Sequence, residues 1–215
     1  MPPSRIFDEN VEVYLARLAV SGPAPHPVIR EMEEEAVRRA FPIVGPEVGR
    51  FFRQIAMLTR PRRVLELGSG FGYSALWWVF GSPETEVHLT DFDGANLELA
   101  RGYAERAGVA DRLHFHQGDA LKVAQQLRGP WDIVFCDIDK KEYPAALGFA
   151  GEVLGPGGLL LYDNMLWDGR VVMPEGEWDE NTEAVVATTR AIYRDPRWAA
   201  SLLPVRDGVL MAVRR

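Results

Sequence analysis

Val64-Leu65-Glu66-Leu67-Gly68-Ser69-Gly70-Phe71-Gly72-Tyr73-Ser74 passes from an apolar segment through three alternate glycines into residues that can continue as a helix. A strand, a glycine turn and a helix in that order are the opening unit of a layered α/β fold with a parallel sheet. The glycines let the backbone turn tightly and approach a ligand, and the helix start offers free N–H groups to an anion. Glycines 68 and 70 match the first two positions of a dinucleotide fingerprint, but its third position falls on Tyr73. That favours a different nucleoside cofactor.

Downstream, apolar runs recur at Glu86–Thr90, Leu113–His116, Trp131–Cys136 and Gly158–Tyr162, following the first strand at Arg63–Leu67. Helical stretches at 73–80, 94–107, 120–128, 142–153 and 182–194 alternate with them. The alternation predicts a right-handed, mostly parallel sheet. The rhythm breaks at the end, where Ser201–Val205 and Val209–Val213 flank Arg206-Asp207-Gly208. Asp-Gly between apolar runs signals a hairpin, so the last strand should run antiparallel to its neighbour. Upstream, residues 4–60 read as helical. Val11, Tyr14, Leu15 and Leu18 recur at helical spacing, a break covers Ser21–Pro27, and helices follow at Val28–Ala40 and Pro46–Leu58. The expectation is one domain over 1–215, with a helical cap at 1–60 on an α/β core at 61–215.

At 215 residues the chain has room for one full core. Its 31 Asp and Glu against 24 Lys and Arg supply no broad basic field, which argues against nucleic acid as a partner. Cys136 is the single cysteine, so no internal disulfide exists; it falls in a strand, as an inert buried thiol would. Met1-Pro2-Pro3-Ser4-Arg5 has no signal-peptide core, and no run approaches the ~18 apolar residues of a membrane span. No membrane role and a cytoplasmic location are expected.

Ligands in open α/β sheets sit at the carboxyl ends of the strands. Asp137 ends the fourth run, and Asp163-Asn164 end the fifth. Two carboxylates and a carboxamide converging there make a hard, all-oxygen cation site; taken singly, each could be a strand-end cap. Asp91 ends strand two, where an acid commonly accepts ribose hydroxyls, with a helix cap as the alternative. Gly118-Asp119-Ala120 ends strand three, where either an adenine contact or a plain capped turn fits. Lys140 follows Asp137 by three residues; beside a dication its ammonium is destabilised, which makes it a candidate base. Trp167 is either a wall over an aromatic acceptor or a packing residue. The four histidines, 26, 88, 114 and 116, show no ligand spacing, and His88 and His114 read as structural.

Val64–Ser74, Cys136-Asp-Ile-Asp-Lys-Lys-Glu-Tyr143, Tyr162-Asp-Asn-Met-Leu-Trp-Asp-Gly169 and Pro204-Val-Arg-Asp-Gly208 together resemble the cation-dependent O-methyltransferases, nearer the caffeoyl-CoA and bacterial branch than the animal catechol enzymes. The resemblance spans about 28–215. It implies a Rossmann-like methyltransferase fold with a seven-stranded sheet, S-adenosyl-L-methionine as cofactor and a divalent cation, usually Mg²⁺. By position it implies Asp137, Asp163 and Asn164 as metal ligands and Lys140 as the catalytic lysine. It places Glu66, Gly68, Gly70, Gly72, Ser74, Asp91, Gly118, Asp119, Ala120 and Asp137 at the cofactor, with Glu47 and Val48 covering its methionyl end. Phe71 departs from the small polar residue usual in the glycine loop.

A phenol with a pKa near ~10 is mostly protonated at neutral pH, and a cation that stabilises its oxygenate makes it a nucleophile. Mg²⁺ takes about six oxygens, so a three-residue ligand set leaves room for a vicinal diol. The expected substrate is therefore a small vicinal dihydroxy aromatic. The resemblance also favours a two-fold homodimer in which the N-terminal segment lies near the neighbour's acceptor pocket, so that residues 1–27 affect substrate choice more than cofactor binding. The competing readings are a nicotinamide-dependent oxidoreductase on the same sheet and a non-catalytic protein that binds S-adenosylmethionine.

Overall fold

A computed structural model describes residues 9–215. Seven strands form one sheet: β1 Arg63–Leu67, β2 Glu86–Asp91, β3 Leu113–Gln117, β4 Trp131–Cys136, β5 Leu154–Tyr162, β6 Trp198–Leu203 and β7 Val209–Arg214. Their order is β3-β2-β1-β4-β5-β7-β6. The first five are parallel, and β7 runs antiparallel to both β5 and β6. From β1 the chain winds outward to β3, then crosses back to β4 on the other side of β1. A crevice opens where that reversal occurs, at the carboxyl ends of β1 and β4. The glycine loop and Asp137 lie on its two sides, joined by the Asp137 amide donating to the Leu67 carbonyl at 2.8 Å.

The helices are α1 Glu9–Ser21, α2 Val28–Arg39, α3 Gly45–Thr59, α4 Tyr73–Gly81, α5 Gly94–Arg106, α6 Ala120–Gln126, α7 Tyr143–Val153 and α8 Glu180–Arg194. Successive strand residues point to opposite faces, so each face has its own core. Val64, Val87, Leu89, Ile133 and Phe135 pack under α2–α5. Leu65, Leu67, Val134, Cys136 and Leu160 pack under α6–α8. In α3, Val48, Phe52, Ile55 and Ala56 recur at the helical period and are buried. Phe52 stacks on Trp78 at 4.3 Å and meets Phe135 edge-on at 4.7 Å, which docks the N-terminal helices onto the sheet.

Two boundaries differ from expectation by three residues or more. β5 starts at Leu154, because Leu154 pairs with Trp131 across a register shift. β6 occupies Trp198–Leu203 and not Ser201–Val205: Trp198 pairs with Arg214 and is buried, and this sets the register three residues earlier. The connection is thus a five-residue loop, 204–208, in which Arg206 and Gly208 adopt φ of 50° and 89°. The helical expectation for Ile6 and Phe7 lies outside the described residues. In α1, Tyr14 and Leu18 are 62% and 53% exposed, and Ala19 is buried. Among the described residues no helix is long and apolar enough to cross a membrane.

Candidate active site

A cavity of about 200 Å³ occupies the crevice. Its floor is the loop from Gly68 to Phe71 with Tyr73 and Ser74, its ends are Asp91 and Asp137, and its roof is Phe41–Val44 from the α2–α3 connection. The loop has the shape the glycines suggested, with φ of 80°, 50° and 81° at Gly68, Gly70 and Gly72. A Cβ at Gly68 would lie 2.3 Å from the Asp137 carbonyl oxygen, so the loop and the β4 end approach as closely as glycine permits. Phe71, the departure from the usual small residue, is buried and packs edge-on against Phe41 at 5.2 Å, bracing floor against roof.

Asp91 is not a helix cap. Its carboxylate accepts from the Gly70 amide at 2.9 Å, from the Asp93 amide at 2.8 Å and from Asn96 Nδ2 at 3.2 Å, while Asp93 caps α5. Asp119 does cap its helix, accepting from the Lys122 amide at 2.9 Å, and Gly118 donates to the Asp91 carbonyl. Beneath the loop Glu66 is fully buried. Trp78 Nε1 donates to its Oε1 at 3.1 Å, and its Oε2 has no hydrogen-bond partner among the described residues. Burial pushes its carboxyl up to about 8, against the nearby Ser74, Trp78 and Ser69 polar groups, which pull it down. Glu47 and Val48 start α3 just beyond the roof. Val48 is buried in the core, so the cavity wall comes from Phe41–Val44 and not from its side chain.

Beside the cavity the strand ends build a charged cluster. Lys140, 7% exposed, points Nζ at Asp137 Oδ1 (3.1 Å), the Ile138 carbonyl (3.3 Å) and the Tyr143 hydroxyl (2.8 Å). An ammonium has three protons to donate, and here it finds three acceptors. Tyr143 passes its own proton on to the Asp163 carbonyl at 2.8 Å, so β4, α7 and β5 are tied through one hydroxyl. Asp163 is buried, and its Oδ1 lacks a partner among the described residues. Burial first, and Asp137 second, raise its carboxyl well above the usual range. Asn164 sits at φ 56°, and Asp207 accepts from the Asp168 amide at 2.7 Å, holding the loop that follows it. The Trp167 ring lies 5.5 Å from Lys140 Nζ, at the edge of the cluster.

Tyr143, Asp207 and Arg206 were not assigned roles from sequence. Tyr143 reads there as a helix start and Asp207 as a turn residue; their partners, Asp163 and Asp168, are 20 and 39 positions away. Asp139 caps the turn at Lys140–Glu142 and does not orient Lys140, and Lys141 pairs outward with Glu180. Cys136 is a free, buried thiol, its pKa raised by burial. Strand pairing gathers Glu86, His88 and His114, with ligand atoms all within 4.8 Å, an arrangement no linear spacing displays.

The model of the O-methyltransferase family matches residues 20–215. Caffeoyl-CoA O-methyltransferase 1 of Eucalyptus globulus is 30% identical over 203 residues, covering 88% of this chain and 82% of its own. The caffeoyl-CoA O-methyltransferase of Eucalyptus gunnii is 29% identical, covering 94% and 86%. Among solved structures, the O-methyltransferase from Bacillus cereus in complex with SAH superposes with a TM-score of 0.83 at 26% identity, over 96% of this chain and 97% of that one. The match runs from the end of α1 through β7 and takes in both the glycine loop and the acidic cluster, and on that ground the chain belongs to the O-methyltransferase family.

Proposed function

We propose that this O-methyltransferase moves a methyl group from S-adenosyl-L-methionine to one oxygen of a small vicinal dihydroxy aromatic, with a divalent cation, Mg²⁺ in the first instance, held by Asp137, Asp163 and Asn164. The observation that carries this reading is the buried Asp163 carboxylate with an unpartnered oxygen beside a second carboxylate. A buried anion without a counter-charge is costly, and Lys140 reaches only Asp137. An all-oxygen set of this kind suits a hard cation. When bound, that cation supplies positive charge that favours the oxygenate form of an adjacent phenol.

The chain's own residues supply the rest. The glycines 68, 70 and 72 open the floor to the cofactor, and Asp91, pre-oriented by the loop amide it accepts, faces the ribose hydroxyls. Glu66 and Ser74 lie toward the methionyl end, where the free Glu66 Oε2 is an acceptor for an ammonium; Glu47 and Val48 anchor the roof over it. Gly118-Asp119-Ala120 borders the adenine. Lys140 Nζ, beside the cluster that would hold the cation, is placed to take the proton of the reacting hydroxyl. Tyr143 keeps Nζ on its line. Trp167 walls the acceptor ring. The pairing of two adjacent oxygens with one cluster selects diols over monophenols.

We also read the chain as a single domain and a cytoplasmic homodimer. The exposed apolar side of α1 is a contact face of the kind a second copy would bury, and a free thiol suits a reducing compartment. Family membership argues against the nicotinamide alternative.

The test is methyl transfer from labelled S-adenosylmethionine to catechols, caffeoyl esters and their monophenol analogues, with and without EDTA, in the native protein and in Asp163→Ala. Diols should be methylated, EDTA and Asp163→Ala should each abolish turnover, and cofactor affinity should survive in the variant. Undiminished turnover in EDTA, or equal rates on monophenols, would overturn the reading.

A further inference from the structure

We propose that Glu86, His88 and His114 form a second cation site, suited to a borderline transition ion such as Zn²⁺ and remote from the acidic cluster, that clips β2 to the edge strand β3. Glu86 and His88 share a face of β2, and parallel register sets His114 directly opposite His88. His114 Nε2 and Glu86 Oε2 lie 3.3 Å apart, and all three ligand atoms fall within 4.8 Å of one another. His114 Nε2 is buried and makes no hydrogen bond among the described residues, which leaves it open to a cation. Two imidazoles and one carboxylate are the donor set of zinc sites that keep an open position, and they are too nitrogen-rich for Mg²⁺. Glu86 and His114 are 50% and 39% exposed in their side chains, which leaves an entry path, while His88 forms the closed inner wall.

His88 is already prepared as a neutral ligand. Arg63 Nη2 lies 3.1 Å from its Nε2 and can only donate, so Nε2 carries the lone pair. Nδ1 then carries the proton and donates to His116 Nε2 at 3.0 Å, the second-sphere bond that commonly fixes a metal-binding histidine. Arg63 is the competitor: its guanidinium occupies the His88 lone pair that the ion needs. It is also anchored elsewhere, by the Arg128 carbonyl at 2.7 Å and over the Trp131 ring at 4.3 Å, so it can yield that contact without losing its place.

The experiment titrates untagged full-length protein with Zn²⁺ in saturating Mg²⁺, in the native chain and in an Asp163→Ala background, so that the outcome is independent of the acidic cluster. One Zn²⁺ per chain is expected in both. Glu86→Ala and His114→Ala should each weaken it at least tenfold with S-adenosylmethionine binding unchanged, and His116→Ala should weaken it less. Arg63→Met, which keeps the stem on Trp131 but removes the competing cation, should tighten it. Co²⁺ in place of Zn²⁺ should show nitrogen-and-oxygen d–d bands that vanish in His114→Ala. Absence of saturable Zn²⁺ binding, equal binding in the Glu86→Ala/His114→Ala double variant, or no gain in Arg63→Met would each overturn the proposal.

Discussion

At the scale of single residues, the strand-end acids differ in what they already hold. Asp91 spends its carboxylate on the Gly70 and Asp93 amides and on Asn96, so removing it both frees the glycine loop and deletes the acid facing the cavity. Charge-assisted hydrogen bonds contribute about 1.5–3 kcal/mol each, so Asp91→Ala should weaken S-adenosylmethionine binding by roughly ten- to a hundredfold. Calorimetric titration checks this, and an unchanged dissociation constant would limit Asp91 to bracing the loop. Glu66 carries a pH signature. Its carboxyl is raised in the fold from 4.5 to about 8, so the folded state holds a proton that the unfolded chain releases across that range. Stability should therefore be full below about 4.5 and fall as pH rises through about 8, by up to roughly 4–5 kcal/mol from this group. Denaturation of the cofactor-free protein at several pH values should show that fall. Glu66→Gln should flatten it, and an unchanged slope in the variant would remove Glu66 as its source.

At the scale of elements, the loop between β6 and β7 is a brace as well as a turn. Arg206, held at φ 50°, donates Nη1 to the Ile43 carbonyl at 2.7 Å, which ties the C-terminal hairpin to the roof of the cavity. Gly45 makes room for it, since a Cβ there would lie 2.5 Å from the same nitrogen. The bond is exposed, so about 1 kcal/mol is a fair measure of its worth. Arg206→Ala should raise the dissociation constant for S-adenosylmethionine about fivefold and speed proteolysis within the roof at residues 41–45. Unaltered affinity together with unaltered proteolysis would leave Arg206 without that role. The α/β elements themselves were legible because apolar runs and helical periods are local; the start of β6 was not, because its register depends on Trp198 finding a buried place opposite Arg214.

At the scale of the whole molecule, α1 leaves Tyr14, Leu15 and Leu18 exposed although Arg50 binds the Ala19 and Gly22 carbonyls at 2.7 and 2.9 Å and holds the helix in place. A fixed apolar face left uncovered among the described residues is what an isologous contact uses, and closed two-fold dimers are the commonest assemblies. Light scattering should give a dimer mass for the full chain. Deleting residues 1–27 should lower it toward a monomer and alter acceptor preference more than cofactor affinity. A monomeric full-length chain would sink the assembly, and unchanged preference after deletion would sink the link to selectivity.

The sequence by itself determined the layered α/β class, the strand and helix order, the antiparallel close and the identity of the acids at the strand ends. These follow from short-range periodicity, from glycines at a turn and from residues adjacent to apolar runs. Only the tertiary structure decided that Tyr143 joins Lys140 to Asp163, that Asp207 holds the Asp168 amide, and that Glu86, His88 and His114 converge. The physical reason is common to all three. Each depends on which strands lie side by side and in what register, and pairing is settled by burial of whole faces, which no window of neighbouring residues contains.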